Sequence, residues 1–332
     1  MEGRPLRLGM IPDSPGKLVA ADINQQPAVL SRVIYLNADE LARAQQLLGG
    51  SSLVRLVGIG SSKHAAGFGA NAIELFTEVP ATVLPAPGAA VPLPRLGPDH
   101  LMIIVSQSGM TPAIVDTAKL ARKNGNSVIA VTNSSASPLQ SIADVTLHCL
   151  AGPEAVIPAT KSVTAQMLLL LAMTGEIPDD EVRKLVTAVE DVIVSLDLTE
   201  GLLGAPPGRV VCSGFAAEWI ADEIALKFAE MAGLSVTSEP LVEYFHGPAG
   251  AITPTVAFLD PEDPNAKDLA GDQVITVGAS SKFDVVTPKT THPALDAIVR
   301  LVAGQRLAFE WAKVLGQDPD ADRGLQKVTP TR

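Results

Sequence analysis

Hydrophobic and polar positions along this 332-residue chain alternate between two rhythms. Short, nearly continuous apolar runs of strand length recur, and between them apolar residues return every three or four positions. Strands buried on both faces give the first pattern and amphipathic helices the second. Their alternation predicts α/β layers around parallel sheets. In the first half, strands are expected over 53–59, 81–85, 101–106, 127–132 and 145–150, with helices over 64–77, 112–124 and 161–172. Pro112 suits the first turn of a helix and Asn124-Gly125 suits a helix stop. A helix over 179–198 separates the halves and ends before GAPPG at 204–208. A second cycle follows, with strands over 209–213, 255–259 and 273–277 and helices over 216–232 and 295–315.

The two halves repeat in order rather than in letters. VRLVGIGSSKHAAGFGANAIEL in the first is matched by GRVVCSGFAAEWIADEIALKFAE in the second, each reading as strand, small-residue turn and long helix. Duplicated α/β lobes are therefore expected, and open sheets of this kind bind ligands outside the carboxyl ends of their strands.

Composition narrows the function. A chain of this length with 47% hydrophobic residues can bury a large core. Aromatic residues make up only 4%, which disfavours stacking platforms for sugars or bases. A formal charge of -11 argues against a nucleic-acid partner bound by phosphate neutralisation, but a small phosphorylated substrate needs only one local pocket. Cys149 and Cys212 lie in apolar strand-like runs and are expected as buried thiols, without disulfide or metal-ligand spacing. The start, MEGRPLRLGMIPDSPGK, has too little continuous apolar sequence for a signal peptide. AQMLLLLAM at 165–173 is about half the length needed to cross a bilayer. The expectation is a cytoplasmic protein with no membrane span, no metal and no cofactor, since the scattered histidines form no ligand cluster.

Two turns carry the candidate chemistry of the first lobe. In GIGSSKHA, Gly58 and Gly60 are followed by Ser61, Ser62 and Lys63 rather than by the third glycine of a dinucleotide fold, and no GKS or GKT follows for a P-loop. In IIVSQSGMT the backbone N–H groups and the helix beginning at Pro112 offer an anion site, to which Ser106, Gln107, Ser108 and Thr111 add donors. Ser108 or Thr111 could instead only cap that helix. Two serine-bearing strand ends in one lobe look like opposite walls of one phosphate or sugar pocket.

The second lobe supplies charge. In ADEIALKFAE, Glu223, Lys227 and Glu230 are spaced four and three apart and share a helix face. That row reads either as a solvated salt-bridge stripe or as a carriage for a general base. His246 follows in YFHGPAG, on backbone made irregular by Gly247-Pro248. His64 is expected to cap or pack near its turn. Lys327, in GLQKVT, could reach back into a pocket. A phosphate grip, a carboxylate and a histidine suit proton transfer between neighbouring carbons of an open-chain sugar phosphate, the histidine helping to open the ring.

Six stretches in this order, INQQPAVL at 23–30, GIGSSKHA, SQSGMT, GPEAVIPATKSVTAQ at 152–166, EIALKFAE with YFHGP, and RGLQKVT, resemble the double sugar isomerase (SIS) domain family. Its members include the isomerase half of glutamine:fructose-6-phosphate amidotransferase and free-standing phosphosugar deaminases and isomerases. The resemblance implies two three-layer α/β/α lobes, each with a mostly parallel five-stranded sheet. It divides the chain into an amino-terminal arm (1–30), a phosphate-binding SIS domain (31–178), a linking helix (179–204), a second SIS domain (205–315) and a returning tail (316–332). It implies that Ser62, Ser106, Gln107, Ser108 and Thr111 bind the sugar phosphate, with Gly60, Ser61, Ala159, Thr160 and Lys161 elsewhere in the pocket. It also implies Glu230 as the base, Lys227 and Glu223 beside it, Lys327 near the sugar carbonyl and His246 as the ring opener. In the amidotransferase that histidine comes from a neighbouring subunit, so a homodimer with the site near its interface is expected.

Family members commonly carry a serine where this chain has Ala159 and a proline where it has Asp322. No glutamine-hydrolysing segment precedes the first lobe, which makes glutamine-dependent amination an unexpected activity. The resulting expectation is an isomerase/deaminase converting glucosamine 6-phosphate to fructose 6-phosphate and ammonia. The alternatives are an aldose–ketose isomerase or deglycase on another sugar phosphate, or a non-catalytic sugar-phosphate-binding protein.

Overall fold

The computed structural model describes residues 15–85, 97, 99–175, 177–196, 203–269 and 273–328. The first 14 residues of the expected arm, the end of the linking helix from 197 to 202 and the last four residues of the tail lie outside them. The remainder of the arm is helical. Helices α1 (Lys17–Asn24) and α2 (Gln26–Val33) pack Val19, Ile23, Leu30 and Val33 fully into the core, and α3 (Ala38–Gly49) follows.

The first lobe then runs β1 (Leu53–Val57), α4 (Ser61–Thr77), β2 (Ala81–Val83), β3 (His100–Val105), α5 (Pro112–Lys123), β4 (Ser127–Thr132), α6 (Pro138–Ile142), β5 (Val145–His148) and α7 (Lys161–Ala172). Its five strands are all parallel, in the order β2-β1-β3-β4-β5. After α8 (Asp179–Ser195), the second lobe repeats the plan with β6 (Arg209–Cys212), α9 (Ala217–Lys227), β7 (Thr237–Pro240), α10 (Leu241–Tyr244), β8 (Thr255–Leu259), β9 (Val274–Gly278), β10 (Val285–Val286) and α11 (Pro293–Val314). Its parallel order is β10-β9-β8-β6-β7, the same arrangement read from the other edge. The central strands are apolar and buried, as their sequence demands, whereas β7 and β10, absent from the sequence expectation, are a four-residue and a two-residue edge strand. TSEP has no apolar alternation to announce it, and its proline is tolerated at a sheet edge.

In each sheet the chain leaves in opposite directions from the first strand and its neighbour. In the first lobe this reversal lies between β1 and β3, so the loops after them part and leave a crevice. Those loops are GIGSS and SQSGMT.

The lobes share one core. Every residue of α7 is buried, which explains why its sequence is apolar on all sides. Helix α4 meets α9 so closely at Gly67 that an added Cβ would stand 2.0 Å from the Trp219 ring, so only glycine permits this approach. The helix expected over 216–232 changes winding: α9 ends at Lys227, and Phe228–Ala232 form a wider π-type turn closed by Gly233 at φ 69°. Such widened turns displace side chains from the regular helical face, and this one carries Glu230. Among the described residues no helix is long and apolar enough to cross a membrane. Cys149 and Cys212 are buried free thiols.

Candidate active site

The crevice between β1 and β3 is built by tight turns. An added Cβ on Gly58 would stand 2.3 Å from the Ser62 carbonyl oxygen, so glycine lets α4 start directly over the end of β1. On the facing side, the Ser106 N–H donates to the Val131 carbonyl at 3.0 Å, and the Ser106 hydroxyl accepts from the Gly109 N–H at 3.1 Å. The Gln107 carbonyl accepts from the Asn133 N–H at 3.0 Å. These bonds hold the turn to β4 and leave the strand end open. Thr111 occupies the N-cap position of α5, yet its side chain makes no capping bond, and Pro112 takes the first turn. Ser62, Ser106, Gln107, Ser108 and Thr111 line one cleft of about 100 Å³, and Lys327 from the tail joins them. Among the described residues lining it there is no carboxylate. Hydroxyls, an amide, the amino end of a 12-residue helix and one ammonium make a cradle suited to an anion.

Beside the cleft, a charged cluster joins the lobes. From α9, Lys227 Nζ lies 3.2 Å from Glu223 Oε1. It donates to Glu230 on the π-type turn and, at 3.1 Å, to the Ser61 hydroxyl of α4. His64 Nδ1 of α4 bonds Glu223 Oε2 at 2.7 Å. Glu223 and Lys227 side chains are fully buried, and Glu230 retains 14% exposure. Burial raises the Glu230 carboxyl above the ordinary range, the Lys227 charge opposes this and the Glu223 charge adds to it. Burial also works against the Glu223 carboxylate, but Lys227, His64 and Ser61 outweigh it and hold that group low. Glu223 and Lys227 therefore form a standing ion pair, and Glu230 is the member set nearest to exchanging a proton.

The tail reaches this site from the far end of the chain. Lys327 Nζ donates to the Val156 carbonyl at 2.6 Å and lies 3.3 Å from Glu154 Oε2. Arg323 donates to the Glu230 carbonyl at 3.2 Å and the Met231 carbonyl at 3.0 Å, clasping the π-type turn. Neither Glu154 nor Arg323 was singled out by the sequence reading. Glu154 is buried and also accepts from the Thr160 N–H at 2.9 Å and the Ser162 hydroxyl at 2.6 Å. Its one visible signal was a lone acid in the otherwise uncharged loop GPEAVIPAT.

Other expected pocket residues have interior or distant positions. Gly60, at φ 59°, and Ser61 form the turn into α4. Thr160 and Lys161 are buried behind the cleft, where Lys161 Nζ pairs with Asp22 at 2.8 Å and bonds Gln25 and the Pro153 carbonyl. Ala159 packs against the core. His246 is exposed after α10, its N–H bonded to the Glu243 carbonyl at 2.9 Å, and it is absent from the cleft lining and the charged cluster. Exposed Val242, Phe245 and Ile252 surround it in sequence.

Comparison with known proteins agrees with this architecture. Residues 51–174 match the SIS domain family. The chain is 27% identical over 372 residues to glutamine–fructose-6-phosphate aminotransferase (isomerizing) of Aeropyrum pernix, covering 99% of this chain and 60% of that one. It thus spans about 60% of the length of that curated relative. Among solved structures, glucosamine-6-phosphate deaminase from Thermotoga maritima superposes with a TM-score of 0.76 at 22% identity, covering 94% of this chain and 99% of that one. Tagatose-6-phosphate ketose/aldose isomerase from Escherichia coli gives 0.75 at 20% identity, covering 93% and 98%. At those identities the likeness speaks for the fold. The chain thus carries a SIS domain match over its first lobe, and a second lobe of the same strand order and a relative aligned along 99% of the chain make the whole similar to double SIS domain proteins.

Proposed function

We propose that this chain is a phosphosugar isomerase that deaminates glucosamine 6-phosphate to fructose 6-phosphate and ammonia. The observation that carries the reading is the carboxylate-free cleft, into which Ser62, Ser106, Gln107, Ser108 and Thr111 face together with Lys327. The phosphoryl group sits in that cradle, and the sugar extends toward Lys327 and Glu230. Lys327 connects the two ends, since it lines the cleft and its charge also acts on Glu230.

In this reading the open-chain 2-amino aldehyde loses its C2 proton to the Glu230 carboxylate, and the proton returns to C1. That produces the 2-imine with a C1 hydroxyl group. Water adds to the imine carbon, the nitrogen is protonated, and ammonia departs to leave the 2-ketone. Lys227 stabilises the carboxylate that accepts the proton, and the Lys327 ammonium favours the negative charge growing on the carbonyl oxygen during enolisation. His246 opens the ring from the neighbouring copy in a homodimer. Its exposure and the apolar side chains of Val242, Phe245 and Ile252 near it support that arrangement.

Purified protein supplied with glucosamine 6-phosphate is expected to release ammonia and form fructose 6-phosphate in equal amounts, and Glu230→Gln is expected to abolish both while retaining ligand binding. Absence of ammonia from the wild type sinks the reading. Ala159, where relatives carry a hydroxyl, favours as second reading an aldose–ketose isomerase or deglycase on another sugar phosphate. Interconversion of such a substrate with no release from glucosamine 6-phosphate selects it.

A further inference from the structure

His64 has no part in the chemistry above, and its sequence position suggested only local packing. Its side chain instead crosses between lobes and touches the group that competes with Glu230 for Lys227. Glu223 Oε2 is bonded by His64 Nδ1 at 2.7 Å. Glu223 Oε1 lies 3.2 Å from Lys227 Nζ in an ion pair without well-aligned hydrogen-bond geometry, and Ser61 also favours this carboxylate. The Lys227 ammonium donates to Glu230 and to Ser61, with Glu223 as its further charged neighbour. One buried cation thus serves two carboxylates, and the imidazole occupies the one that is not the base.

We propose that His64 is a positioning residue for Glu230: by satisfying Glu223 it keeps the Lys227 ammonium turned toward the base. The inference rests on the reading of Glu230 as the base. A buried carboxylate stripped of a donor recruits the nearest cation to recover the lost interaction. Without His64, Glu223 draws Lys227 away, and Glu230 loses the charge that favours its ionised form. The charged groups facing Glu230 are Lys227 and Glu223 from its own helical segment and Lys327 from the tail; Arg323 binds its carbonyl. From α4, Ser61 and His64 act through Lys227 and Glu223. Lys63, beside His64, is directed over the Trp219 ring.

The test follows the carboxyl itself, so it does not depend on the substrate. The full chain is labelled with carboxyl-13C glutamate, the Glu230 resonance is assigned by its loss in E230Q, and its titration is followed by NMR. H64F keeps the ring volume and removes the donor; its Glu230 midpoint is expected to rise by about half a pH unit or more. H64N, which restores an N–H near the Nδ1 position, is expected to return the midpoint to the wild-type value. In an E223Q background, H64F should produce no further shift, because the carboxylate that diverts Lys227 is gone. An unmoved midpoint in H64F, or an equal rise in H64N, overturns the proposal. H64A carries the same expectation should H64F not fold. If glucosamine 6-phosphate is turned over, H64F lowers kcat with KM unchanged. If the wild type turns over no phosphosugar, the proposed function falls, while the titration still decides the role of His64.

Discussion

Lys327, five residues from the end of the 332-residue chain, meets Glu154, the buried acid of a first-lobe loop, at 3.3 Å although the two stand 173 positions apart in sequence. This contact makes the tail a wall of the cleft between β1 and β3 and ties it to the loop that precedes α7. Burial disfavours the Glu154 carboxylate, but the Lys327 charge and the bonds from Ser162 and Thr160 outweigh it and hold the group below the ordinary carboxylate range.

Glu154→Gln is therefore expected to destabilise the protein by about 2 kcal/mol, the scale of a hydrogen bond to a charged group. Because the folded-state value is depressed, this stabilisation is complete above the unfolded value of about 4.3 and is lost as pH falls through the lower folded value. Thermal unfolding measured from pH 6 downward should show the difference between wild type and Glu154→Gln shrinking toward acid. A difference that grows with acidity contradicts the pairing.

For Glu230 the sign is opposite and the consequence is kinetic. Burial raises its carboxyl, so the ionised base is lost at a higher pH than a free glutamate would lose it. The acid limb of kcat on the productive phosphosugar should have its midpoint above about 4.3. Glu230→Gln should reduce kcat by about 10²–10⁴-fold without a comparable rise in KM. An acid limb below the free-glutamate value contradicts Glu230 as the base.

Thr111 and Ser137 separate binding from capping. Both stand at helix N-caps, but Ser137 accepts from the Gln140 N–H at 3.3 Å, while the Thr111 side chain makes no capping bond. Thr111→Ala should raise KM for the sugar phosphate about tenfold and change the unfolding midpoint little. Ser137→Ala should cost about 1 kcal/mol of stability. Thermal melts and initial rates on the two variants check both, and a Thr111→Ala variant with unchanged KM removes Thr111 from the cradle.

The proposed homodimer makes a prediction of its own. If His246 serves the site of its neighbour, Glu230→Gln and His246→Ala chains, each inactive alone, should regain a fraction of wild-type turnover when mixed under subunit exchange. Hybrids form one site that holds both groups. No recovery in hybrids isolated by two affinity tags rules out sharing of the site.

Much of the architecture is readable in the sequence, because the information is local. Buried parallel strands such as HLMIIV and SVIAVT are apolar wherever they are read, and SQSGMT ahead of Pro112 declares a strand-to-helix turn with exposed donors. The repeat of strand, turn and helix announced two lobes. What stayed hidden was short or polar, such as β7 and β10, or lacked a distinguishing period, such as the amino-terminal helices that pack Ile23 and Leu30 into the shared core.

Linear order thus set the lobes, the crevice and the row of Glu223, Lys227 and Glu230, since each depends on neighbours within a few helical turns. Folding alone brought His64 to Glu223 across 159 positions, Lys327 to Glu154 across 173, and Arg323 to the carbonyl of Glu230 across 93. Such pairs leave no periodic trace. Whether a charged side chain is a solvated ornament or part of a buried network depends on what the rest of the chain lays over it.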